Sequence, residues 1–350
     1  MRCVIAAVIA GIIVGLGAPA SAALPNRIEF SSLDAVSQWI SNYRAWPQPA
    51  RLPAAVHALS RLGAFKDAEG SGVYVGFMAG VIGANPMRAN DLVGRMFPIA
   101  VADQWAIVRA IAYSGHPDWK GLLQKFAPRM PLRQVMVDKY LEGKLVPLED
   151  VPLEKKKPTL WDKARGLFRN EREGTRASEM TFEQSPELID TLWGYYFATG
   201  SHRPIERIVQ LLAWSSERDS VDKLTVASMA KYTLANNAAR DTELLAMLKR
   251  QSKSKSEPRA VAAALAEVID AAETMDTARV RKQALASIEE LKRKGPGYKR
   301  DITTWGQVGQ GALALGCIAA AVTGHVELGL PCVIGGAASS AAMSFWGSQQ

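Results

Sequence analysis

The sequence predicts an all-α fold: an irregular array of antiparallel helix hairpins with a C-terminal Ala/Gly-rich apolar helical hairpin. Three observations predict it. Strand-like alternation is nearly absent between Ala23 and Asp301, helix start and stop signals are dense there, and two segments share one helix–glycine turn–helix order. Five stretches follow from composition: a signal peptide at 1–22, a helical domain at 23–142, a charged linker at 143–184, a second helical domain at 185–301, and the apolar hairpin at 302–350.

The leader comes first. Arg2 supplies a positive charge, Cys3 to Gly17 is apolar and uncharged, and Ala18-Pro19-Ala20-Ser21-Ala22 offers small residues for cleavage, preferably after Ala22. An uncleaved anchor is the alternative, but the apolar run is short for a membrane span. The expected location is exported, periplasmic or secreted, with membrane association as a further option.

Helices then follow in order. Ser32 is placed to cap Leu33–Tyr43, with Val36, Ile40 and Tyr43 on one face. Gly72 to Phe77 alternates like a strand, yet it runs into Met78-Ala79-Gly80-Val81-Ile82, which fits a buried helix better. Gly76, Gly80 and Gly83 are expected to let helices pack closely. Trp105 to Tyr113, a turn at Gly115-His116-Pro117 and Trp119 to Phe126 form one hairpin unit. Leu192 to Thr199, a turn at Gly200-Ser201-His202 and Pro204 to Leu212 form the second. In each, glycine supplies a positive φ and proline starts the next helix. The 85 residues from Gly115 to Gly200 exceed a regular repeat period, so the array is irregular. Ser185-Pro186-Glu187, Asp241, Ser256 or Glu257, and Asp276 mark further helix starts. The linker carries Pro147, Pro152, Pro158 and the run Lys155-Lys156-Lys157.

The last 49 residues differ from everything before them. From Ile302 to Gln350 the ionisable side chains besides cysteine are His325 and Glu327, both within a Gly/Pro-containing turn. Ala312, Gly316, Ala320 and Gly324 recur every four residues, as do Gly336, Ser340 and Ser344, which suits close helix packing. Trp305 and Trp346 stand at the two far ends, where interfacial aromatics would sit. Membrane association, a buried soluble hairpin and an oligomerisation zipper are all compatible with this pattern. After leader cleavage the remaining cysteines are Cys317 and Cys332. An oxidising compartment permits a disulfide between them, worth roughly 3 kcal/mol, and two buried free thiols are the equal alternative.

The charge has a clear location. The chain of 350 residues has 42 Lys+Arg and 34 Asp+Glu, a net of +8. Removing Arg2 and Glu327 leaves 41 and 33, so the body from 23 to 301 still carries +8. Nucleic acid is the usual partner at such a charge. Export and the spread of Lys/Arg over linkers and helix ends argue against it, so an anionic membrane surface or another protein is expected instead. Lys292, Arg293, Lys294, Lys299 and Arg300 precede the apolar tail and suit anionic headgroups.

Motifs for chemistry are missing. His57, His116, His202 and His325 form no H-E-x-x-H pattern, and no cysteine pair has metal spacing. His202 and Glu206 are four apart, a weak pair better explained by capping or solvation. No G-x-S-x-G or phosphate loop occurs, and Asp67/Glu69 and Glu149/Asp150 look like solvated acids on turns. No catalytic, cofactor-binding or metal residue is assigned, and no cofactor is expected.

Phe77-Met78-Ala79-Gly80-Val81-Ile82 with Asn85-Pro86, and Leu192 to Gly200, resemble patterns in uncharacterised bacterial exported all-helical proteins, and both hairpins are loosely similar to tetratricopeptide units. The resemblance covers about the central two-thirds of the chain. It implies an all-helical fold and carries no activity. The expected function is a non-enzymatic exported scaffold or binding protein. The alternatives are a membrane-active effector that inserts residues 302–350 into a bilayer, and a periplasmic enzyme of unrecognised type.

Overall fold

The computed structural model describes residues 29–68, 70–151, 186–216, 220–254 and 256–293. The leader at 1–22, residues 152–184 of the linker and the apolar segment 302–350 lie outside these residues. Among the described residues the regular elements are helices alone. The all-α fold class therefore holds.

The first helices obey their caps. Ser32 Oγ accepts the Ala35 amide at 3.1 Å and opens α1 (Leu33–Asn42), which buries Val36, Trp39 and Ile40. α2 (Leu52–Arg61) follows a short 3-10 turn and buries Val56 and Leu59. α3 (Gly72–Ala84) is buried from Gly72 to Ile82. An element covered on every side needs no polar face, so its sequence shows no helical period and imitates a strand. α4 (Ala89–Arg95), α5 (Gln104–Ala112), α6 (Trp119–Phe126) and α7 (Gln134–Leu141) complete the first half. Asp118 caps α6 through the Gly121 amide at 3.0 Å.

The second half begins with α8 (Pro186–Thr199) and α9 (Arg203–Leu211). α10 (Val221–Ala238) packs against α12 (Arg259–Glu273) and α13 (Thr277–Arg293), with α11 (Thr242–Ser252) between them in sequence. Asp241 caps α11 by accepting the amides of Glu243 and Leu244. The expected turns are present: Gly115 has φ +64° before α6, and Gly200 has φ +66° before α9. α5 packs on α6, and α8 on α9.

The two halves meet along α3 and α8, the most extensive helix contact among the described residues. Glycine makes this possible. A Cβ on Gly76 would lie 1.9 Å from the Thr191 carbonyl oxygen, and one on Gly194 would lie 2.1 Å from the Val73 carbonyl oxygen. No side chain fits either gap, so the backbones themselves are in contact. Around this seam Trp39, Tyr43 and Phe77 form an edge-to-face cluster with centroids 5.0–5.5 Å apart. Such pairs add about 0.5–1.5 kcal/mol each beyond their burial.

Candidate functional site: a cleft on the helical seam

One side of a cleft follows directly from the sequence of α9. Ile205, Ile208 and Val209 point into the core. Arg203, Glu206, Arg207 and Gln210, at i, i+3, i+4 and i+7, therefore share the opposite face and line a cavity of about 600 Å³. The stripe is roughly 10 Å long at the helical rise. The rest of the lining includes Tyr113, Leu148, Glu149, Leu192 and Tyr195. The cleft thus combines a polar stripe with the apolar surfaces of Leu148, Leu192 and two tyrosine rings.

Several contacts hold this shape. The Arg207 guanidinium donates to the carbonyls of Leu148 and Val151, fastening the 148–151 segment beside α9. Burial pulls the Arg207 pKa down, against the charges of Asp150 and Glu149. Tyr195 donates its hydroxyl to the Ser114 carbonyl at 3.2 Å, and burial pushes its pKa up, with the Glu149 charge adding to the shift. Gly115 sits where its Cβ would lie 2.9 Å from Glu149 Oε1 and 3.2 Å from the Tyr195 hydroxyl. Both its positive φ and this closeness require glycine.

Beneath the cleft runs a buried polar network. Tyr113 hydrogen-bonds Tyr140, which also meets Arg109, and Arg109 pairs with the buried Glu187. Burial raises both tyrosine hydroxyls. For Arg109 burial acts in the opposite direction and is the largest single influence, but Glu187, Tyr113 and Tyr140 together outweigh it and keep the guanidinium charged. The network fixes the floor that Tyr113 presents.

Cys317, Cys332, Trp305, Ala312, Gly316, Ala320, Gly324, Gly336, Ser340 and Trp346 all fall outside the described residues. Three histidines have structural partners. His57 Nε2 lies 2.9 Å from the Met96 carbonyl, His116 Nδ1 accepts the Asp118 amide at 3.0 Å, and the His202 carbonyl accepts the Glu206 amide at 3.0 Å. Among the described residues no group of three or more His, Cys, Asp or Glu could hold a metal ion. Nothing in the sequence singles out the cleft residues Tyr113, Tyr195, Arg203, Arg207 and Gln210, whereas Glu149, expected as a solvated acid, is exposed at the edge of the cleft. The stripe on α9 is the one available signal, because the rest of the lining comes from distant segments.

The fold and cleft define a helical protein with a cavity of small-ligand size. Comparison with protein-family models, curated proteins and solved structures finds no match to this chain.

Proposed function

We propose that this chain is an exported, non-enzymatic binding scaffold. Its helical body takes a small amphipathic ligand in the seam cleft, and the charge-free segment 302–350 associates it with a membrane. The observation carrying this reading is a regular polar stripe, 203/206/207/210, that lines one cavity of about 600 Å³ together with Leu148, Leu192 and the Tyr113 and Tyr195 rings. Small-molecule sites occupy roughly 300–1,000 Å³ and combine such walls with a few placed polar groups. Arg203 and Arg207 offset Glu149 and Glu206 in charge, so the cleft favours a ligand with an apolar body and a polar edge. Arg207 is committed to backbone carbonyls, which suits a wall of fixed shape.

The test uses full-length protein and the uncharged dye prodan, whose naphthalene rings and ketone match the apolar and polar parts of the lining. At about 0.3 kcal/mol per non-hydrogen atom, its roughly 17 atoms give about −5 kcal/mol, a Kd on the order of hundreds of micromolar. Ser201→Trp, which plugs the half-buried rim, is expected to weaken binding at least tenfold by fluorescence titration. Unchanged affinity in a folded Ser201→Trp protein would sink the reading.

A further inference from the structure

A second cleft, of about 610 Å³, lies where α1 meets the α10–α11 joint and the end of α8. Its construction parallels the first, but its chemistry differs. Gln38, Ser41, Asn42 and Ala45, again at i, i+3, i+4 and i+7, form one wall from α1 and the residues just after it. Tyr196 and Phe197 form the back, and Asn237, Arg240, Asp241 and Glu243 the far side.

The charges here cancel within the site. Arg44 bonds Asp241 at 2.7 Å and Glu243 at 3.3 Å, and its guanidinium lies 4.8 Å over the Tyr196 ring. Tyr196 donates its hydroxyl to the same Asp241 oxygen at 2.7 Å. Burial alone would raise the Asp241 pKa, but hydrogen bonds from Arg44, Tyr196 and the Leu244 amide bring it below the usual carboxylate range. Asp241 also caps α11, so its acceptor capacity is filled. With two cations against two carboxylates, an ionic ligand finds no uncompensated partner.

The remaining groups are neutral. Asn42 uses Nδ2 for the Gln38 carbonyl at 2.8 Å, and Asn237 uses Nδ2 for the Thr233 carbonyl at 2.9 Å, so each keeps a carboxamide oxygen for a ligand. Gln38 offers a complete carboxamide, and Phe197 a half-buried ring. Carboxamides give adjacent donors and acceptors in one plane, matching vicinal hydroxyls, and a ring accepts the C–H face of a sugar. From this set of groups we infer that the second cleft binds an uncharged oligosaccharide, independently of what the seam cleft holds. Ala45 leaves room at the mouth for more than one sugar ring.

The inference is tested by calorimetric titration of the full chain with maltotriose, cellotriose and N-acetylchitotriose, alongside triglycine. At least one trisaccharide should bind, with affinity falling tenfold or more in Asn42→Ala and in Ala45→Trp. Both positions are exposed, so both variants should keep the parent circular dichroism. Gln210→Ala, on the other cleft, should leave the affinity unchanged, so failure of one site does not imply failure of the other. The inference is overturned if no trisaccharide binds, if binding ignores both substitutions, or if triglycine binds at Asn42 and Ala45 while the sugars do not.

Discussion

Asp190 lies on α8 with 3% of its surface exposed, its Oδ1 unpaired and Glu187 one turn before it. Burial, and then the Glu187 charge, push its pKa well above the usual carboxylate range. The folded state therefore holds this proton where the unfolded chain releases it, near pH 4. The stabilisation is fully present below that unfolded pKa and is lost as pH rises through the folded one. Asn at this position mimics the neutral acid. Asp190→Asn is thus expected to raise stability at neutral pH and flatten its decline between pH 4 and 8, measured by urea denaturation across that range. Glu187 presents the opposite case, since its partner Arg109 keeps its charge. Glu187→Ala strands that guanidinium in a largely buried site, at an expected cost of about 3 kcal/mol in the same measurement.

At the scale of elements, the α3–α8 contact decides most. Gly76→Ala and Gly194→Ala each drive a methyl into a carbonyl of the facing helix. Each should lower stability by about 1–3 kcal/mol or more, seen as a drop in Tm. Gly94 provides the control, because a Cβ there meets only the Phe126 ring at 3.7 Å. Gly94→Ala should be neutral or stabilising by up to about 1 kcal/mol. These elements also show what the sequence could reveal. The caps at Ser32, Asp241 and Asp276 were legible because capping is local, and Gly76, Gly80 and Gly83 were legible as packing residues. Their partner was not, since nothing near Gly76 specifies Thr191. α10 carried no clear signal either: Thr225, Ser228, Thr233 and Asn237 are buried within it and blur its apolar period. The clefts were hidden for the same reason, because each joins one readable stripe to walls from distant segments.

Over the whole molecule, one hydrophobic cluster runs from Phe30 in the first half to Val280 in the second. No helix of the described residues is long and apolar enough to cross a membrane. The proposed membrane association therefore rests on residues 302–350, and cell fractionation tests it. Full-length protein is expected in the membrane fraction and a chain ending at Asp301 in the soluble one. Equal partition of the two would remove that part of the proposal.

The glycine seam also bears on the order of events at the ribosome. Gly76 and Thr191 are 191 − 76 = 115 residues apart, so at about 5–20 residues per second roughly 6–23 s separate their synthesis. Throughout that interval α3, apolar on every side, has no α8 to cover it. A nascent chain in this state is a natural client for holding chaperones. A core that closes only across so long a stretch of chain works as a timer on folding during synthesis.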